Sequence, residues 1–122
     1  MTLNKRILLC DDSRALRMMS ANVLAEHGFD VVAEADNGES AVAEYKTHKP
    51  DVVLLDLVMP RLDGKQALAR ILEHDAGAKV VILSSLGARG DIEECLRMGA
   101  TSYLQKPIDT ETMLRVLRDA VA

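Results

Sequence analysis

The amino-acid sequence predicts an α/β fold built on one doubly wound parallel sheet, with five strands and five helices. Three observations carry this expectation. Five short apolar runs recur along the chain, a helical pattern follows each of them, and most of the runs are continuous rather than alternating. Continuous runs are how strands read when helices cover both faces of a sheet. Right-handed crossovers between parallel strands then leave the open doubly wound topology. A closed barrel of the same units needs more of them than the chain supplies.

The elements follow in order. The first strand reads as Ile7 to Cys10, and the helix after it as Arg14 to His27, capped by Ser13 or Asp12 and ended by Gly28. Leu16, Met19, Val23 and Leu24 fall on one face of that helix and form its predicted buried stripe. Val31 to Ala35 is the second strand. A helix carrying Ala41, Val42 and Tyr45 begins after Asn37 and stops before Pro50, which cannot continue it. Val52 to Leu55 is the third strand. Its helix runs from about Lys65 to His74, with Asp63 and Gly64 before it as turn and capping residues. Val80 to Leu83 precedes a fourth helix, Asp91 to Met98, which Gly99 ends. A weaker run around Tyr103 and Leu104 is the fifth strand. Asp109 caps the last helix, whose stripe is Met113, Leu114, Leu117 and Val121.

Composition sets the limits. A chain of 122 residues fits one domain, 1–122, with one core, and no linker or low-complexity tract divides it. Hydrophobic residues at 48% and charged residues at 28% describe a globular domain rather than a disordered or membrane chain. A single Phe, two Tyr and no Trp leave little to stack on bases, and a net charge of −4 disfavours a nucleic-acid surface. Cys10 and Cys95 match neither a metal spacing nor a disulfide framework, which points to a reducing compartment. The polar stretch Met1 to Lys5 leads into too few apolar residues for a secretory signal or a membrane span. The expected location is the cytoplasm, with no membrane partner.

In open parallel sheets, ligands gather beyond the carboxyl ends of the strands. The polar residues there are Asp11 and Asp12 after the first strand, Asp56 after the third, Ser84 and Ser85 after the fourth, and Lys106 after the fifth. Carboxylates about 4 Å apart repel by roughly 4 kcal/mol at an effective dielectric near 20. A raised pKa or a hard divalent cation must relieve that repulsion, and an all-oxygen site half open to water suits Mg2+. Such an ion completes its shell with phosphoryl oxygens, and Lys106 and Ser84 can neutralise the others. Asp56, ending the central apolar run, is best placed to be a nucleophile toward phosphorus, while Asp11 and Asp12 suit holding the ion.

These residues, in this order and on these elements, resemble the receiver domains of response regulators over essentially the whole chain. Ile7-Leu8-Leu9-Cys10-Asp11-Asp12-Ser13 resembles the acidic-pair motif, and Asp56-Leu57-Val58-Met59-Pro60 with Asp63-Gly64 resembles the phosphoacceptor motif. Met98-Gly99-Ala100 and Tyr103-Leu104-Gln105-Lys106-Pro107 resemble the closing motif, in which the Lys-Pro bond is usually cis. The resemblance implies a flavodoxin-like sheet of strand order 2-1-3-4-5. It further implies that Asp12 and Asp56 bind Mg2+ directly, that Asp11 acts largely through water, and that the Val58 carbonyl adds another oxygen. Asp56 would take a phosphoryl group from a sensor histidine kinase, the domain catalysing its own modification. Ser84 and Lys106 would hold the phosphoryl group. Ser84 and Tyr103 would form the switch, and helix four, strand five and helix five the face for a downstream protein target. The chain would be a monomer or a phosphorylation-dependent dimer. Leu16-Arg17-Met18-Met19 and Val32 to Asp51 are most similar to stand-alone chemotaxis-type receivers. Ser84 stands where Thr is commoner, Ser85 where Ala is frequent, and Val58 where the side chain often tunes dephosphorylation.

Ordinary explanations account for other polar residues. Asp36, Asp63 and Asp109 read as turn or cap residues, and His27, His48 and His74 as exposed imidazoles near helix ends, none a phosphodonor. Met18 and Met19 read as gap fillers on one side and surface cover on the other. Gly87 to Gly90 reads as a flexible loop and candidate hinge, since no Walker sequence occurs. Three alternatives stay open: a receiver cut from a longer regulator with a DNA-binding or enzymatic output domain, an FMN-binding module at the same switch point, and a degenerate receiver acting as a scaffold.

Overall fold

The computed structural model describes residues 5–85 and 87–122. The expectations for Met1 to Asn4 and for Leu86 lie outside the described residues. The elements alternate as β1 (Lys5–Cys10), α1 (Arg14–Glu26), β2 (Phe29–Ala35), α2 (Gly38–His48), β3 (Val52–Asp56), α3 (Gly64–His74), β4 (Val80–Ser84), α4 (Arg89–Met98), β5 (Ser102–Gln105) and α5 (Thr110–Val121). The strands form one parallel sheet of order β2-β1-β3-β4-β5, with β3 in the middle.

The strand pattern explains why the apolar runs are continuous. Leu8, Cys10, Val53, Leu55, Val80 and Ile82 pack with residues of α2, α3 and α4, including Val42, Leu68, Ile71 and Cys95. Ile7, Leu9, Val52, Leu54, Val81 and Leu83 pack on the other face with Leu24 of α1 and Met113, Leu114 and Leu117 of α5. Successive side chains alternate between two apolar layers, and in β3 and β4 every position is buried. One irregularity escaped the periodicity. Ile7 pairs with Val31 but Leu8 pairs with Ala33, so the register shifts at Val32.

Local chemistry fixes most helix starts. Ser13 Oγ accepts from the Leu16 N–H at 3.3 Å, Asn37 Oδ1 from Ser40 at 2.8 Å, and Asp109 Oδ2 from Thr112 at 3.0 Å. Asp63 and Gln66 form a reciprocal capping box on α3. Helix α4 is different. It starts at Arg89 rather than Asp91, after Ala88, and has no side-chain cap. Gly90 therefore lies in the first turn of a helix and not in a loop, and Asp91 sits inside that turn, where a carboxylate favours the helix dipole.

The stripe predicted for α1 needs correction. Leu24 is fully buried and Leu16 and Val23 partly so, but Met19 is 65% exposed. The reason is geometric: α1 and the segment leading into α5 do not close on each other. A groove of about 560 Å³ remains between Leu16, Met19 and Val23 on one side and Pro107, Ile108 and Met113 on the other.

Candidate functional site

The carboxyl ends of the strands bring the predicted residues to one mouth. Asp11 follows β1; its N–H donates to the Ala35 carbonyl at 3.0 Å, and its Oδ1 accepts the Ser13 N–H at 2.8 Å. Asp12, next in the chain, is exposed. Asp56 is the last residue of the central strand and is only 2% exposed. Oxygen atoms of Asp11, Asp12 and Asp56 lie within 4.8 Å of one another. Such a set of hard oxygen donors, partly open on the Asp12 side, fits a divalent cation of the Mg2+ type.

Lys106 completes the group. Its Nζ donates to Asp56 Oδ2 at 2.7 Å and stands 3.7 Å from Asp11 Oδ2. Asp56 Oδ1 meanwhile accepts the Val58 N–H at 3.0 Å, so both carboxylate oxygens of Asp56 are engaged. The Lys106-Pro107 peptide is cis, as the resemblance implies.

Electrostatics follow from this crowding. Burial raises the pKa of Asp11, and the charge of Asp56 adds to the rise, against the Ser13 N–H and Lys106, which lower it. Burial works against the charge of Lys106, yet the Asp56 hydrogen bond and the charges of Asp56, Asp11 and Asp12 together outweigh it and raise its pKa. The lysine thus remains charged and offsets part of the acidic cluster.

Ser84 ends β4 and is 1% exposed; among the described residues, its Oγ is the buried side-chain polar atom with no hydrogen-bond partner. An unpaired buried hydroxyl costs about 1–3 kcal/mol, so its retention calls for an explanation. Its own carbonyl accepts the Lys106 N–H at 2.8 Å, which ties the hydroxyl-bearing strand end to the lysine. Ser85 is exposed beside it.

Val58 and Tyr103 stand outside this knot. The Val58 side chain is 69% exposed on the loop after β3. Tyr103 is 43% exposed and lines a surface groove with Ile92 and Leu96 of α4. It pairs across the sheet with Ile82, two residues before Ser84.

Asp63 and Asp109 act as caps, as expected, while Asp36 accepts from the side chain of Asn37, the true cap of α2. His27 bonds the Val23 carbonyl, His48 pairs with Glu44, and His74 packs edge-on against Tyr45. Sequence reasoning missed two residues near the site. Arg17 reaches back to the Asp11 carbonyl, and Lys65 bridges α3 to Asp91 at 2.6 Å and Glu94 at 2.7 Å on α4. Neither lies on an apolar stripe, so periodicity could not have singled them out.

Comparison with known proteins gives a consistent picture. The family described as response regulator receiver domain matches residues 7–118. The chain is 39% identical over 112 residues to the chemotaxis protein CheY of Bacillus subtilis, covering 92% of this chain and 93% of that protein. It is 35% identical to the transcriptional regulatory protein PdtaR of Mycobacterium tuberculosis, covering 97% of this chain but 57% of that one. Among solved structures, the CheX-CheY-BeF3-Mg+2 complex from Borrelia burgdorferi contains a chain that superposes with a TM-score of 0.94 at 32% identity, over 98% of this chain and 91% of that one.

Proposed function

The chain belongs to the response regulator receiver domain family of two-component signal transduction, and from that premise we propose that Asp56 is its phosphoacceptor and Mg2+ its cofactor. One observation carries the reading: a nearly buried carboxylate at the end of the central strand is held by a lysine and crowded by two further aspartates. Asp12 and Asp56 would hold Mg2+ directly, Asp11 largely through water, and the Val58 carbonyl would add an oxygen. The ion supplies screening of negative charge on the carboxylates and on an incoming phosphoryl group.

The chain's own residues do the rest. One oxygen of Asp56 attacks phosphorus in line while the bond to the donor's histidine nitrogen breaks; that nitrogen keeps the electron pair and takes up a proton. Lys106 pairs with the transferred group and offsets its charge. The Ser84 hydroxyl, unpaired otherwise, donates to it. Tyr103, beside α4, turns inward as Ser84 moves, which makes the aspartyl phosphate shift an existing equilibrium rather than build a new fold.

The phosphodonor is a sensor histidine kinase and the recipient a downstream protein, in chemotaxis by the likeness to the CheY proteins. Half-exposed Leu96, Met98 and Tyr103 on α4 and β5 support that face as the output surface. Cys10 and Cys95 are free and buried, which accords with action in the cytoplasm. No helix among the described residues is long and apolar enough to cross a membrane. A second reading, output through an attached effector, has support from PdtaR, of whose length the matched part is 57%. The reading is tested by intact-mass measurement after incubation with Mg2+ and a small acyl phosphate. One added phosphoryl group is expected, and no adduct on folded protein would refute it.

A further inference from the structure

Arg17 makes two bonds that neither helix formation nor core packing requires. Its Nη1 donates to the backbone carbonyl of Asp11 at 2.6 Å, and its Nε donates to Glu34 Oε1 at 3.1 Å. The side chain is only 15% exposed. Asp11 lies one residue past the end of β1, where its carbonyl has left the strand ladder and needs another donor. Glu34 sits on the neighbouring strand, in register with Leu9. A single guanidinium therefore clamps the β1–α1 turn to α1 and to β2.

Its position is electrostatically awkward. Arg17 lies near the start of α1, and the first turn of that helix holds no acidic residue. A cation there opposes the helix dipole, so its placement argues for a gain elsewhere. Lysine could not reproduce the contact, because one ammonium cannot offer two planar, separately directed N–H groups to a carbonyl and a carboxylate.

We propose that Arg17 is a positioning residue for the metal site: by fixing the Asp11 carbonyl against Glu34, it holds the Asp11-Asp12 pair where both carboxylates face Asp56. The proposal rests on the Mg2+ reading above and adds to it a residue that never touches the ion. Its action runs through the backbone of Asp11.

The test combines calorimetric Mg2+ titration with amide hydrogen exchange of the metal-free full chain, for wild type, Arg17→Ala, Arg17→Lys and Glu34→Gln. Arg17→Ala is expected to raise the Mg2+ Kd about tenfold, the lower end for residues that orient metal ligands. Arg17→Lys and Glu34→Gln should each raise it less. Without metal, the Asp12 and Ser13 amides should exchange faster in Arg17→Ala, while those of β3 and β4 keep their wild-type protection. A folded Arg17→Ala protein with the wild-type Kd would overturn the proposal. So would an exchange increase spread evenly over β3 and β4, the mark of a merely structural role. Should Arg17→Ala not fold, a wild-type Kd in both Arg17→Lys and Glu34→Gln would overturn it instead. A wild-type chain that takes up no Mg2+ would refute the metal reading itself, an outcome distinct from normal uptake in every variant.

Discussion

The Lys106 ammonium stands 2.7 Å from Asp56 Oδ2 and 3.7 Å from Asp11 Oδ2, so one cation serves two buried carboxylates. Removing it leaves Asp56, 2% exposed, without its charged partner. Lys106→Met is expected to lower stability by about 2 kcal/mol, within the range for hydrogen bonds to charged groups. Urea unfolding at neutral pH checks this. In the double variant with Asp56→Asn the two effects should not add, because they remove the same interaction.

Ser84 gives the opposite sign. Its hydroxyl is buried without a partner, so Ser84→Ala removes a desolvated polar group and loses no bond. The unphosphorylated protein should become more stable by about 1 kcal/mol. Yet the same variant should accumulate less of the aspartyl phosphate if, as proposed, the hydroxyl finds its partner there. Thermal unfolding and a phosphorylation time course, run on one preparation, separate the two effects.

The raised pKa of Asp11 has its own signature. Between the ordinary carboxyl value of about 3.9 and its raised folded value, the folded state binds more protons than the unfolded chain. The contribution of Asp11 to stability therefore falls as pH rises through that window. Asp11→Asn removes this loss and is expected to raise the urea midpoint of the metal-free protein at pH ~7. Lys106 runs the other way: its raised pKa stabilises fully below the ordinary lysine value of about 10.4 and is lost only as pH climbs through the folded value. Urea midpoints measured from acid to neutral pH in chelator check the Asp11 effect. Mg2+ at a hundredfold its Kd should add about 2.7 kcal/mol to wild type and much less to Asp11→Asn.

Two backbone positions offer a test of the scaffold. A Cβ on Gly38 would fall 1.9 Å from the Leu62 carbonyl oxygen, in the loop that carries Val58 toward α3. Gly38→Ala should cost about 3 kcal/mol or more, because the clash is with backbone. Lys49, by contrast, caps α2 in the left-handed region at φ 47°, ψ 60°. Lys49→Gly should gain about 1 kcal/mol by relieving that strain. Chemical denaturation of the two variants reads both signs.

The parts of the fold legible in the sequence were those written in composition and period. Continuous runs such as Val52–Leu55 announced a sheet covered on both faces, and Asp63 and Asp109 announced helix starts through their side chains. The start of α4 at Arg89, two residues before the expected Asp91, was not legible because Ala88 offers no capping side chain. Met19 misled for another reason: a helical face says which side points inward, not whether a neighbouring helix comes close enough to cover it. The acidic cluster and Lys106 could be found because strand ends in an open sheet share one edge. Arg17 could not be found by pattern, since its partners are a backbone carbonyl and a carboxylate on the next strand; the one hint was an arginine near a helix start, where the dipole disfavours it.

The central claim is that the phosphoryl group goes to the buried carboxylate beside Lys106 and to no other. Borohydride reduction of the phosphorylated protein, followed by peptide sequencing in the mass spectrometer, converts an aspartyl phosphate to a stable homoserine and reads its position. Reduction at position 56 alone, dependent on Mg2+ and abolished by Asp56→Asn, is the predicted result. Label at position 11 or 12, or equal yield in chelator, would contradict the account.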